Sequence, residues 1–261
     1  PETDVKIISS VSLGCSISAL VMSHNIIMSD HQQKVFYSLI KRRCLREPIS
    51  RILGEREFWG LSFVLSDATL DPRPDSETVV AATLAYLSIA MLDKPNILDL
   101  GTGSGCLLIS LLSQLKNAVG VGVDLSSEAA CMARLNSVRL GVGNRSSFAV
   151  SDWMTAVGDH AFDVVISNPP YICESELRTL EPEVRCFDPL GALDGGRKGL
   201  DAYIKILPQM RRVMRPGGLA VVEIGYNQEE AVTALFMSVG ARDLKVYSDL
   251  GGNSRCISAH M

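Results

Sequence analysis

From residue 96 onward, short apolar runs alternate with helical segments, and the alternation breaks only near the end of the chain. Strands are expected at 96–100, 120–123, 147–150, 163–167 and 219–224, and helices at 104–116, 127–140, 200–215 and 228–239. Parallel neighbours need a crossover long enough to hold a helix, so this order implies a mostly parallel sheet covered on both faces. Two further runs, at 244–248 and 255–259, follow with no helix between them. One of them must run antiparallel in a terminal hairpin. The result is an α/β chain built on a mostly parallel seven-stranded sheet.

Residues 1–53 read as a small helical domain, 54–70 as a β-hairpin bridge, and 71–261 as the α/β domain. In the first of these, Ser29-Asp30 can cap a helix whose apolar positions Val35, Phe36, Leu39 and Ile40 share one face. Lys41, Arg42, Arg43 and Arg46 gather at its C-terminal end, where they oppose the helix dipole on an expected solvated face. Pro48 is expected to end the module. Phe58, Trp59, Leu61, Phe63 and Val64 around Gly60 suggest the hairpin. Asp71-Pro72-Arg73-Pro74-Asp75 is a rigid turn leading into a helix over 76–91.

Composition narrows the function classes. The chain has 261 residues, 47% of them hydrophobic and 21% charged, with a net charge of −4. That balance argues against a protein whose main task is gripping duplex nucleic acid, which relies on a basic face. The seven cysteines are scattered and form no Cys-x-x-Cys pair, so neither a metal site nor a disulfide framework is expected, and a reducing compartment such as the cytoplasm fits. No segment reaches the length of a membrane span, because Gly14, several serines and His24 interrupt the apolar-leaning stretch 11–27. The opening Pro1-Glu2-Thr3-Asp4 is acidic and lacks Met. It reads as a trimmed start rather than a secretory signal.

Asp99-Leu100-Gly101-Thr102-Gly103-Ser104-Gly105 joins the first strand of the sheet to a helix. Such a junction presents backbone N–H groups and a helix N-terminus to a ligand, and glycine lets the backbone come close. A dinucleotide fingerprint would place glycines at 101, 103 and 106, but residue 106 is Cys. The observed spacing favours the nucleoside methyl donor S-adenosylmethionine over NAD. Asp124 ends the second strand and can accept hydrogen bonds from both ribose hydroxyls, since Ser126 and Ser127 can cap the next helix. Asp152-Trp153 follows the third strand, where the indole can stack on adenine and the carboxylate can bond its exocyclic amine.

Asn168-Pro169-Pro170-Tyr171 follows the fourth strand. An amide nitrogen is a poor nucleophile because its lone pair is delocalised into the carbonyl. The Asn168 side-chain oxygen and the Pro169 carbonyl can accept its two N–H bonds, leaving the lone pair aimed at an electrophilic methyl carbon. The two prolines stiffen those acceptors, and Tyr171 can pack against the planar substrate group. Catalysis would come from orientation and electrostatics, with no strong general base. Together the two motifs indicate a nitrogen methyltransferase that uses S-adenosylmethionine and releases S-adenosylhomocysteine.

With these motifs in place the chain resembles the bacterial release-factor glutamine methyltransferases, the PrmC/HemK family, from about residue 17 to the end. The resemblance runs through Arg46-Glu47-Pro48-Ile49, Gly54 to Leu61, Pro72 to Glu77, Asp99 to Gly105, Ser167 to Ile172, Glu181 to Val184 and Ala192 to Gly196. It departs at Asp71, where an apolar residue is usual, and at Leu190-Gly191. The glycine and Asn-Pro-Pro-Tyr motifs alone are shared with adenine-N6 DNA and RNA methyltransferases, which supply the rival reading. A partner-binding module with a vestigial cofactor fold is a third possibility, and the intact motif pair argues against it.

The resemblance implies a class I methyltransferase fold and, as substrate, the Gly-Gly-Gln glutamine of class 1 peptide chain release factors, modified at N5. No membrane or direct nucleic-acid partner is implied. Asp99, Gly101, Thr102, Gly103, Ser104, Gly105, Asp124, Asp152, Trp153 and Asn168 would contact the cofactor. Asn168, Pro169, Pro170 and Tyr171 would meet the glutamine, and the N-terminal helices would help dock the release factor.

Overall fold

A computed structural model describes residues 2–22 and 26–261. The His24 interruption and the first residue, Pro1, lie outside the described residues. The N-terminal helices are α1 (Glu2–Leu13), α2 (Ile17–Met22), α3 (Asp30–Cys44) and α4 (Ile49–Leu53). Ser29 caps α3 in a reciprocal box: its Oγ accepts from Gln32 N at 3.3 Å, while Gln32 Oε1 accepts from Ser29 N at 2.9 Å. Pro48 does not end the module. It is the N-cap of α4, because its fixed φ suits a helix start and the missing N–H costs nothing there.

The basic end of α3 is only in part a solvated face: Lys41 and Arg46 are exposed, but Arg43 and Arg46 have acidic partners. Arg43 pairs with Asp4 of α1 at 2.7 Å and with Glu183 at 3.1 Å, and Arg46 pairs with Glu181 at 2.8 Å and Glu183 at 2.6 Å. Both glutamates belong to the segment around a short helix of the α/β domain, so the cluster clamps the N-terminal module onto it.

β1 (Glu55–Phe58) and β2 (Leu61–Val64) form the hairpin. Trp59 and Gly60 turn it with φ of 52° and 70°, the pair of positive values a two-residue turn needs to match strand twist. Phe58 and Phe63 meet edge to face and are fully buried against the larger domain. Then come α5 (Glu77–Ala90), β3 (Asn96–Leu100), α6 (Cys106–Gln114), β4 (Val119–Asp124), α7 (Ser127–Arg139), β5 (Ser146–Val150) and β6 (Phe162–Ser167). Two short helices, α8 (Glu174–Leu177) and α9 (Pro182–Arg185), precede α10 (Asp201–Val213), β7 (Met214–Glu223), α11 (Glu229–Ser238), β8 (Arg242–Ser248) and β9 (Ser254–His260).

The sheet has seven strands in the order β5-β4-β3-β6-β7-β9-β8, and β9 runs antiparallel to both neighbours. Side chains alternate between two cores, as a strand's period of two requires. Leu98, Leu100, Val165, Ala220 and Val222 pack with α10 and α11, while Ile97, Val164, Ile166, Leu219 and Val221 pack with α5, α6 and the hairpin. The order reverses between β3 and β6, and ligands of open α/β sheets bind beyond the strand ends at such a switch.

A buried ionic junction ties the N-terminal module to that end of the sheet. Asp188 is 1% exposed at its side chain; its Oδ1 meets Arg51 Nη2 at 2.8 Å and its Oδ2 meets Arg73. Asp71, the departure from the family pattern, accepts from Ser50 Oγ of α4 and donates its N–H to Asp188 Oδ1 at 3.2 Å. Among the described residues no helix is long and apolar enough to cross a membrane.

Candidate active site

A cavity of 450 Å³ opens beyond the ends of β3, β4 and β6. Gly101, Thr102, Gly103 and Ser104 form one wall, Asp124, Asp152 and Trp153 the next, and Asn168 and Pro170 the third. The switch point thus brings together motifs that lie far apart in the chain. A cavity of 580 Å³ at the opposite end of the sheet, lined by His160, Arg211, Arg242 and His260, contains none of them.

The glycine loop is held locally. Gly101 N and Thr102 N both donate to Val123 O, at 2.9 and 3.0 Å, stitching the loop to the end of β4. Gly105 has φ 82°, and a Cβ there would come within 2.7 Å of Ile109 Cδ1 and 3.1 Å of Ala133 Cβ. Only glycine lets α6 start this close to α7. Asp124 Oδ2 accepts from Gly103 N and its Oδ1 from Ser126 N, each at 2.9 Å. Ser126 Oγ caps α7 by accepting from Ala129 N. The aspartate therefore braces the loop through two backbone amides, and its remaining lone pairs are available toward the cavity. Trp153 has φ 49°, a costly conformation for a bulky residue, and its ring lies beside Gly101.

Asp99 and Gly105 lie beneath this wall rather than in it. Asp99 is 1% exposed and accepts from Thr102 Oγ1 at 2.7 Å, while its Oδ1 has no partner. Burial pushes its carboxyl up to about 7. These features suit a nucleoside with a charged end. Apolar Leu107, Leu125 and Trp153 flank the loop, a carboxylate faces the space, and a buried acceptor waits below.

The Asn-Pro-Pro-Tyr wall is held by distant elements. Asn168 Nδ2 donates to Ser76 Oγ at 3.1 Å, across 92 positions of sequence. Among the described residues, nothing donates to Asn168 Oδ1 or to the Pro169 carbonyl. Pro169 itself is buried, and Tyr171 turns inward, with its hydroxyl donating to Glu223 Oε1 at 3.2 Å. The Tyr171 hydroxyl thus points into the core rather than along the cavity. The backbone after the motif is strapped from behind. Ile172 N donates to Leu193 O at 3.0 Å, Gly195 N donates to Ile172 O at 2.9 Å, and Gln228 Nε2 donates to Tyr171 O at 2.9 Å. A Cβ on Gly195 would come within 2.8 Å of Tyr171 Cα, which explains the glycine in Ala192-Leu193-Asp194-Gly195-Gly196.

Arg73, which the sequence left between stiffening the turn and bordering the cofactor or substrate entrance, reaches the cavity from the proline turn. Other lining residues had no clear signal in the sequence: Lys205 from α10, Pro189 from the strap and Leu125 after β4. Leu125 was the most findable of these: a large apolar residue, 73% exposed, directly after the strand-ending Asp124. Among the described residues no histidine lines the space. Glu77 faces elsewhere and accepts from Trp59 N at 2.7 Å, anchoring the hairpin.

The family described as Methyltransferase small domain matches residues 61–180, and that described as PrmC N-terminal domain matches residues 1–54. The chain is 41% identical to the Release factor glutamine methyltransferase of Rhodospirillum rubrum, over 99% of this chain and 78% of the relative. It is 39% identical to the protein of the same name from Caulobacter vibrioides, over 98% of this chain and 88% of that one. Among solved structures, a methyltransferase from Pyrococcus furiosus matches with a TM-score of 0.56, covering 89% of this chain and 98% of that chain. At 16% identity it speaks for the fold alone, which is that of class I methyltransferases.

Proposed function

The chain belongs to the release factor glutamine methyltransferase family, and from that premise we propose that it methylates the side-chain nitrogen, N5, of the Gly-Gly-Gln glutamine in class 1 peptide chain release factors. S-adenosylmethionine, when bound, supplies an electrophilic methyl group on a sulfonium, and loss of that group leaves S-adenosylhomocysteine. The loop Gly101 to Ser104 would hold the donor, with Asp124 on its ribose and Asp152 and Trp153 at its adenine. Asp99 and Gly105 would support that wall from below.

Asn168 Oδ1 and the Pro169 carbonyl would each accept one N–H of the glutamine amide. With both hydrogens held in place, the nitrogen lone pair is turned out of conjugation and aimed across the cavity. As the N–C bond forms the nitrogen becomes acidic, and its proton can leave without a histidine base. Pro170 shapes the wall, and Tyr171 anchors the motif from the core. The N-terminal module, clamped through Arg43 and Arg46, would present a docking surface for the release factor.

One observation carries this reading. The unpartnered Asn168 oxygen and the glycine loop line a single cavity. The test incubates the protein with radiolabelled methyl donor and, separately, a release factor or a nucleic-acid pool. Label mapped to the Gly-Gly-Gln glutamine is the expected result, and label on adenine would replace the reading with the nucleic-acid alternative.

A further inference from the structure

Behind the Asn-Pro-Pro-Tyr wall lies a buried carboxylate with no assigned part in the reaction. Glu223 ends β7, is 1% exposed, and takes one hydrogen bond at Oε1 from Tyr171. Its Oε2 is buried and has no hydrogen-bond partner among the described residues. The Ser76 hydroxyl is the neighbouring donor that favours the charged form, and Arg255 adds a nearby positive charge. Ser76 Oγ is also the atom that receives Asn168 Nδ2. Glu223 therefore reaches both ends of the motif, Tyr171 directly and Asn168 by way of Ser76.

We propose that Glu223 is a positioning residue: acting through Ser76 it sets which way the Asn168 amide faces, and through Tyr171 it anchors the end of the same motif. The inference rests on the reading of Asn168 given above. A serine hydroxyl has a single hydrogen to donate. An ionised carboxylate is acceptor-only, so beside it Ser76 turns its hydrogen toward Glu223 and keeps a lone pair for Asn168. Asn168 must then offer Nδ2, which leaves Oδ1 toward the cavity. A protonated Glu223 can instead donate to Ser76. The serine hydrogen is then released toward Asn168, and the amide is free to flip its nitrogen into the cavity. A nitrogen there repels the substrate N–H that Oδ1 would accept.

Burial pushes the Glu223 carboxyl up to about 7, partly opposed by Ser76, Arg255 and Tyr171. Asp75 reinforces the rise, and Cys106, Cys256 and Tyr203 also face the group as neutral neighbours pushed up by burial. The sign follows from this. The competent, ionised network dominates above about pH 7, and turnover should fall as pH drops through that value.

The test compares the full-length protein with Glu223→Gln and Ser76→Ala. In steady-state methylation of a release factor, the parent's kcat should drop about tenfold per unit below its inflection. Glu223→Gln should lose the inflection and run about tenfold below the parent's plateau, with donor Kd by calorimetry and KM within about twofold. Adding Ser76→Ala to Glu223→Gln should cost little more, because both act along one path. A Glu223→Gln enzyme with the parent's kcat and pH profile would overturn the proposal while leaving the substrate assignment intact.

A second measurement needs no turnover and no variant that must fold. In parent protein labelled with ¹⁵N-asparagine, the Asn168 side-chain amide signals should move with a midpoint near pH 7. Signals that stay still between pH 5.5 and 8.5 would refute the idea even if the protein methylates something other than a release factor.

Discussion

The two walls of the cavity stand on neighbouring strands, β3 and β6, but are built in different ways. On the glycine-loop side, backbone amides are held within one strand-loop-helix unit and its next strand: Gly101 and Thr102 donate to the Val123 carbonyl and Gly103 to the Asp124 carboxylate. On the Asn-Pro-Pro-Tyr side, side chains from Ser76, Glu223 and Gln228 converge on one tetrapeptide. The first wall is a local structure that needs short residues at set spacings. The second is a junction whose members are useless apart. A donor held by backbone should tolerate single side-chain changes better than an acceptor pair held by side chains.

The largest effect that would sharpen this contrast lies in the long-range half. Asp188→Ala leaves Arg51, 5% exposed at its side chain, and Arg73 without their shared anion. Removing one partner of a buried pair costs about 3–5 kcal/mol. Denaturant unfolding should show that loss, with the N-terminal module released first in hydrogen exchange; a change under about 1 kcal/mol would mean water readily solvates the junction. Next, Asn168→Ala should lower kcat by about a hundredfold or more, while donor affinity by calorimetry changes far less. Equal turnover in variant and parent would remove Asn168 from the reaction.

The smallest of the three is on the local side. Asp124→Ala removes the proposed ribose acceptor and the brace on Gly103, and should weaken donor affinity by about tenfold to a hundredfold. At saturating donor, kcat should remain within about threefold, since the acceptor wall is untouched. If Asp124→Ala instead lowered kcat as strongly as Asn168→Ala, the two walls would not be separable and the comparison would fail.

What could be read in advance follows the same division. The strand at 96–100 was legible to the residue, and the other core strands to within a residue or two, except β7. That strand starts at Met214 because Met214 already pairs with Phe162 of β6, ahead of a register shift that passes Pro216 and Gly217 before pairing resumes at Leu219. The Ser29 cap and the hairpin at Gly60 were legible because their signals are local. Pro48 misled because proline both ends and begins helices, and only the packing of α4 against Asp71 and Asp188 decides which. The arginines of α3 misled because their partners, Glu181 and Glu183, lie about 140 positions away.

The amino-acid order alone determined the sheet's composition, its parallel core with an antiparallel end, the glycine spacing and the position of Asn168 and Pro169 just beyond a core strand. Each of these depends on bonds between near neighbours or on a simple period. Tertiary structure decided that Tyr171 turns inward, that Asp188 sits between two arginines, and that Glu223 stands behind Ser76 and Asn168. Buried polar groups must find partners wherever the fold supplies them. Those partners come from sheet order and helix packing, which no short stretch of sequence encodes.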